Sequence, residues 1–150
     1  MGKTKLTKNT FKPEGFEFID LGLPSGKAWA TTSAPGYYTF DEAVEAFGDY
    51  LPKGATLVEL YEECDWKWDN EKRGYTVTGP NGNSIFMPAN GYIAPDENSA
   101  EWAGFEGNYW SRLPFSQTRA RYLYFGSGLV YPLNYYYRRA FGFGVWPVRE

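Results

Sequence analysis

The chain has 150 residues, room for one domain with one sizeable core, and a chain of that length folds without disulfide or metal staples. Hydrophobic residues at 43 % against charged residues at 22 % exclude an intrinsically disordered chain, and no apolar run approaches the ~20 residues of a membrane span. One cysteine and no histidine exclude an intramolecular disulfide framework, Cys-cluster zinc sites, histidine-ligated metals, and Ser-His-Asp or Cys-His nucleophiles.

Residues 1–14, with Lys3, Lys5, Lys8 and Lys12, read as a flexible basic tail without the apolar stretch of a secretory signal. Residues 16–21 alternate in part and predict a strand, ended by the turn Leu23-Pro24-Ser25-Gly26, with a second short strand over 27–31. Thr39-Phe40-Asp41-Glu42 is a capping box. Its hydroxyl and carboxylate satisfy orphan amides, Phe40, Ala43, Val44 and Phe47 form the apolar face, and Gly48 closes the helix.

Thr56-Leu57-Val58-Glu59 repeats that signal and predicts a second helix carrying Leu60, Tyr61 and Cys64. Cys64 reads as a small apolar core residue, since nothing near it activates a thiolate. The acids Glu59, Glu62, Glu63, Asp65, Asp69 and Glu71 read as a solvated helix face rather than a cation site. Residues 74–92 predict a hairpin turned at Gly79-Pro80-Asn81-Gly82-Asn83, and 89–107 a long loop without the spacing of an EF-hand.

Beyond residue 110 the chemistry changes. Residues 1–110 carry nine Lys or Arg against 17 acids, whereas residues 111–150 carry six Arg against Glu150 alone. Between Ser111 and Val145 there is no Lys, Asp, Glu, Met, Trp, Cys or Ile, yet six Tyr and five Arg. This asymmetry marks either a specialised surface or a Tyr-rich sheet with a cationic face. Aromatic residues at 20 %, with 17 Gly and ten Pro, favour short strands and tight turns over a helical bundle.

Four segments, in order, carry a resemblance. Phe18-Ile19-Asp20-Leu21-Gly22-Leu23-Pro24-Ser25-Gly26-Lys27-Ala28-Trp29-Ala30 resembles the "VDLGLPSG-x-x-WA" opening of the Fibrobacter major paralogous domain family. Residues 79–88 are similar to that family's middle hairpin, Tyr109-Trp110-Ser111 to its "YWS" motif, and residues 142–149 to its "GFSVRPVR" ending. The resemblance spans residues 16–149. It implies an α+β, C-type-lectin-like fold over residues 15–150, with two helices flanking a small, mostly antiparallel sheet and termini close together.

The same fold and tail are found in the variable proteins of diversity-generating retroelements, where randomised adenines turn AAC or AAT codons into NNC or NNT. Such codons never give Lys, Gln, Glu, Met or Trp. The family pattern makes Arg112, Leu113, Phe115, Ser116, Arg119, Arg121, Tyr122, Tyr124, Gly126, Leu129, Tyr131, Leu133, Asn134, Tyr135, Tyr136, Tyr137, Arg139, Ala140 and Phe141 the candidate variable positions. All but Arg121, Gly126 and Ala140 are expected to touch a ligand. The five forbidden types make up about a fifth of ordinary composition, so about four would be expected among these 19 positions, and none is present. Trp146, where the family has Arg, and Gln117 must then be fixed.

The same family pattern makes the scaffold Ser111, Pro114, Ala120, Leu123, Phe125, Ser127, Gly128, Val130, Pro132, Arg138, Gly142, Phe143, Val145, Pro147, Val148 and Arg149. In residues 122–125 the period-2 rule puts Leu123 and Phe125 on one face and Tyr122 and Tyr124 on the other, which is expected to be exposed. Val130 between Leu129 and Tyr131 repeats the pattern. Residues 133–137 read as a loop or bulged connection, and the sequence leaves open whether Tyr135, Tyr136 and Tyr137 are exposed or half-buried. Exposed Tyr and Arg make paratope-like anchors.

These features predict a non-enzymatic protein that binds a variable protein or cell-surface ligand without cofactor or metal. The resemblance implies a place on a cell surface or a virion, and fusion to or assembly with an anchoring module is compatible with it. A glycan module or adhesin with a fixed site is the alternative. It would be calcium-independent, because the "EPN", "QPD" and "WND" lectin motifs are absent. The copper-dependent, formylglycine-generating relatives of the fold use a cysteine pair that a lone Cys64 cannot supply. Arg interleaved with Tyr suits nucleic acid, but a pI of about 5.1 and the lack of any module motif argue against it, so no nucleic acid is expected.

Overall fold

The computed structural model describes residues 15–149, so the basic tail expected over 1–14 lies outside the described residues. Strands β1 (Phe18–Asp20) and β2 (Ala28–Ala30) form where expected. Helix α1 (Phe40–Phe47) starts at the capping box: Glu42 N donates to Thr39 Oγ1 at 3.2 Å, and Thr39 N donates to Glu42 Oε1 at 2.9 Å. Gly48, at φ 51°, closes the helix and begins a 3-10 turn, Gly48–Tyr50.

Helix α2 (Gly54–Glu63) corrects one expectation. It starts two residues before Thr56, its N-cap is Lys53, and no side chain caps it. Thr56 is buried inside the helix, and Glu59 reaches out to accept from Ser25 N and Oγ at 2.9 and 2.7 Å. The carboxylate thus ties down the Leu23–Gly26 turn instead of capping its own helix.

The acidic run is corrected too. Asp65–Asp69 is not helix surface but strand β3, paired with β4 (Gly74–Thr78), which pairs in turn with β5 (Ser84–Pro88). The order Asp-Trp-Lys-Trp-Asp has the period of a strand, and Trp66 and Trp68 pack against the core while Asp65 and Lys67 are exposed. Cys64, half-buried, packs against the same core. Burial first, then Glu59 and Glu63, push its thiol up to about 11.

Two of the recurring motifs meet in space. The β4–β5 turn docks on the end of β1, where Asn81 Nδ2 and Asn83 Nδ2 both donate to Asp20 O at 2.9 Å. A Cβ on Gly79 would run into the Leu21 backbone, so glycine is what permits the close approach.

The remaining chain builds β6 (Glu106–Pro114), β7 (Arg119–Gly126), β8 (Leu129–Arg138) and β9 (Val148–Arg149). The architecture is α+β with two helices and small antiparallel sheets. Among the described residues there are three three-stranded sheets, β1-β2-β9, β3-β4-β5 and β6-β7-β8, in place of the one expected. Bridges Tyr38↔Phe143, Ile93↔Gly142 and Tyr109↔Gly144 join the segment before β9 to the rest. Both β1 and β9 flank β2, so the ends of the described chain come together.

Strands β6 and β7 are buried on both faces. Tyr109, Leu123 and Phe125 face one core with Trp29, Leu57, Leu60, Met87 and Trp146. Trp110, Ala120 and Tyr122 face a second core with Tyr38, Phe40, Phe47 and Phe143. Tryptophan N–H groups anchor each: Trp146 Nε1 donates to Ala30 O and Trp110 Nε1 to Tyr38 O, both at 2.7 Å. Truncating Trp146 to Ala is expected to cost about 3–5 kcal/mol, against about 1 kcal/mol for Thr39→Ala, which loses only the helix cap; urea unfolding measures both.

Candidate ligand-binding surface

Burial separates the two sets of positions in the tail. Of the 19 candidate variable positions one, Tyr122, is buried, whereas nine of the 16 scaffold positions are. Leu123 and Phe125 sit in the core at 1 % and 0 % exposure, as the alternation requires. Tyr122, at 6 %, does not follow the expectation of an exposed face. The face opposite Leu123 carries the second core, and there Tyr122 packs between Trp110 and Phe143. Tyr124 is half-buried beside it.

Residues 133–137 are also corrected: they are not a loop but the second half of β8. Tyr131 pairs with Tyr124 and Tyr135 with Tyr122, so residues 132–134 stand opposite Leu123 alone. Pro132 has no N–H for the ladder, and the strand bulges there. Arg121 Nη1 donates to the freed Leu133 carbonyl at 3.1 Å. Beyond the bulge Tyr135, Tyr136 and Tyr137 are exposed at 45, 41 and 38 %.

The expected site residues do not make one patch, because β8 alternates. Tyr131, Tyr135, Tyr137 and Phe141 join Tyr122 and Tyr124 on one face. Tyr136 goes to the other, stacked on Phe115 at 3.7 Å between ring centroids, with the Arg121 guanidinium 5.1 Å from Phe115 and 5.4 Å from Tyr136. Leu113 and Leu133 cover Gly54 at the start of α2, and Leu129 lies apart in a groove with Tyr61, Trp66, Trp68 and Tyr75. Asn134 is exposed on the bulge.

The tip of the β6–β7 hairpin is cationic. Ser116 Oγ accepts from Thr118 N and Arg119 N at 3.3 and 3.1 Å and shapes the turn. Arg139 reaches back to this turn and to Asp41, while Arg112 pairs with Asp49 at 2.7 Å. Both aspartates are exposed, so these pairs orient the two arginines and add little stability.

On the tyrosine face a cavity of about 250 Å³ is lined by Tyr92, Glu106, Asn108, Tyr122, Tyr124, Tyr137 and Phe143. Tyr92, Glu106, Asn108 and Phe143 were not among the expected site residues. Tyr92 comes from the long stretch before β6 and Glu106 is the first residue of β6, and nothing in their linear order points to tyrosines some 15 to 45 residues later. Among the described residues no three His, Cys, Asp or Glu side chains gather where they could hold a metal ion. No described helix is long and apolar enough to cross a membrane.

Neither family models, curated proteins nor solved structures give a match to this chain.

The buried phenols make stability fall in alkali. Burial holds Tyr109 well above 10, burial and then Glu42 push Tyr38 up to about 12, and burial ahead of Glu106 raises Tyr122. A raised folded pKa means that the unfolded chain loses its proton first. The stabilisation is whole below the unfolded value of about 10 and is lost as pH rises through the folded values. Urea unfolding between pH 8 and 11 is expected to show this decline, shallower in Tyr122→Phe. Tyr122→Ala is expected to cost about 3–5 kcal/mol, and Tyr136→Ala less than about 1.5 kcal/mol, in the same assay.

Proposed function

We propose that this chain is a non-enzymatic ligand-binding protein with a C-type-lectin-like fold, whose C-terminal Tyr/Arg-rich surface is diversified by retroelement mutagenesis. The observation that carries the reading is the burial partition: one of 19 candidate variable positions buried against nine of 16 scaffold positions. Substitution at the exposed positions among them changes what the surface presents and removes no buried side chain. The fold reading is supported by two helices packed with antiparallel sheets and by ends that meet on β2. The ligand is a protein or a cell-surface molecule, and the anchors are exposed aromatics with oriented Arg, a combination that gives large contact area at low entropic cost.

Tyr122 marks the limit of the reading. As a core residue it tolerates few replacements, so diversity is expected to be lowest there. One feature favours the second reading, a fixed, calcium-independent glycan or adhesin site. Trp66, Trp68, Tyr61 and Tyr75 line a groove of about 500 Å³, and the buried Trp68 Nε1 has no hydrogen-bond partner among the described residues. Apart from Leu129 and Tyr131, its walls lie outside the variable positions.

Deep amplicon sequencing of codons 105–150 across the source population decides between them. The diversified surface predicts substitutions concentrated at the 19 positions, in codons ending in C or T, with Leu123, Phe125, Val130 and Gly142 unchanged. Evenly spread variation, or Lys and Glu at those positions, sinks it and leaves the fixed site.

A further inference from the structure

The tyrosine face holds a carboxylate that no cation among the described residues answers. Glu106 stands at the start of β6, its Oε2 accepting from Asn108 Nδ2 at 3.2 Å and its Oε1 from the Tyr124 hydroxyl at 3.5 Å. Asn108 is 2 % exposed and is fixed in turn: its N–H donates to Asn90 Oδ1 at 2.8 Å and its Nδ2 also donates to Gly91 O at 3.1 Å. The carboxylate is therefore held by a buried partner. Among the described residues no Lys or Arg ion-pairs with it, and the pairs Arg112–Asp49 and Arg139–Asp41 lie elsewhere. Its charge is felt by the surrounding phenols, since after burial it is the next cause raising Tyr122 and Tyr124.

Around it stand four tyrosines and Phe143, bounding about 250 Å³. Aromatic rings attract cations through their quadrupole, and a nearby carboxylate adds a full charge. The kind of cation follows from the hydrogen-bonding inventory. A primary ammonium brings about three N–H donors and a guanidinium about five, each needing an acceptor once desolvated. Glu106 already accepts from Asn108 Nδ2 and the Tyr124 hydroxyl, and five of the seven lining residues are aromatic. An alkylated ammonium brings charge and apolar methyl groups and needs no acceptor. The space is below the roughly 300–1,000 Å³ of sites for whole drug-sized ligands and suits a head group.

We propose that this cavity is an aromatic cage for an alkylated ammonium group, of the kind carried by choline or by a methylated lysine side chain. It rests on the reading of the tyrosine face as a ligand surface, and not on its diversification. Glu106, Tyr92 and Phe143 are fixed, whereas Tyr122, Tyr124 and Tyr137 are candidate variable positions, so the carboxylate is the constant element and the walls belong to this copy.

The test is a titration of the full chain with choline and with its uncharged isostere 3,3-dimethylbutan-1-ol, followed by aromatic NMR shifts. Choline is expected to shift the Tyr122, Tyr124 and Tyr137 rings, with the isostere and the Glu106→Gln variant each weaker by about tenfold. Glu97→Gln, at an exposed loop residue, is expected to bind as the unaltered protein does. Where Glu106→Gln loses the native spectrum, Tyr124→Leu stands in for it, with the same tenfold loss expected. Phosphocholine vesicles and a trimethyl-lysine peptide, run as parallel arms, separate a lipid source from a protein one. Equal binding of choline and the isostere, no ring shifts with choline, or unchanged affinity in a folded variant overturns the cage. With the codon pattern intact, that failure leaves the diversified surface standing; loss of the codon pattern with choline binding retained does the reverse.

Discussion

The structure depends on one step in the backbone, from Tyr109 to Trp110. Consecutive residues of a strand point to opposite faces, and here both faces must be filled with large aromatics. Tyr109 goes into the core beneath β4, β5 and α2, its hydroxyl donating to Pro88 O at 2.6 Å. Trp110 goes into the core closed by α1 and the segment before β9. A slip of one residue would exchange the two and leave each N–H or O–H without its carbonyl. The register of β6 thus fixes β7, and β7 fixes β8.

That constraint also decides where freedom is left. With Leu123 and Phe125 committed to one core and Ala120 and Tyr122 to the other, β7 has little surface to vary. Strand β8 pairs along only one edge, bulges at Pro132, and presents three exposed tyrosines in a row. Those three tyrosines are exposed, so replacing them removes no buried side chain, which is the physical condition for a surface that changes while its scaffold persists. Arg112 and Arg139 are half-buried but their partners Asp49 and Asp41 are exposed, so the ion pairs themselves add little to stability.

Much of the scaffold was legible because its signals are local. The capping box at Thr39 and Glu42, the turn at Gly79–Asn83 and the alternation of Leu123 and Phe125 each depend on residues a few positions apart. The same signal misled at Thr56. A Thr three residues before a Glu resembles a cap, yet Glu59 found a partner in Ser25, 34 residues away in the chain. Strand β3 was legible and overlooked, since Asp-Trp-Lys-Trp-Asp alternates as a strand should and only the count of acids suggested otherwise.

By itself the sequence determined the class of the fold, two helices among short antiparallel strands, and the division of the tail into apolar scaffold and polar-aromatic surface. The first follows from periodicity and turn chemistry, which act over a few residues; the second follows from the family pattern the tail resembles, with the alternation at Leu123 and Phe125 in agreement. Tertiary structure alone decided that the sheet is buried on both faces, and hence that Tyr122 is core while Tyr135, Tyr136 and Tyr137 are surface. It alone set Glu106 and Tyr92 among tyrosines from β7 and β8. Which element covers the second face of a strand is fixed by long-range packing, and no local pattern in β7 carries that information.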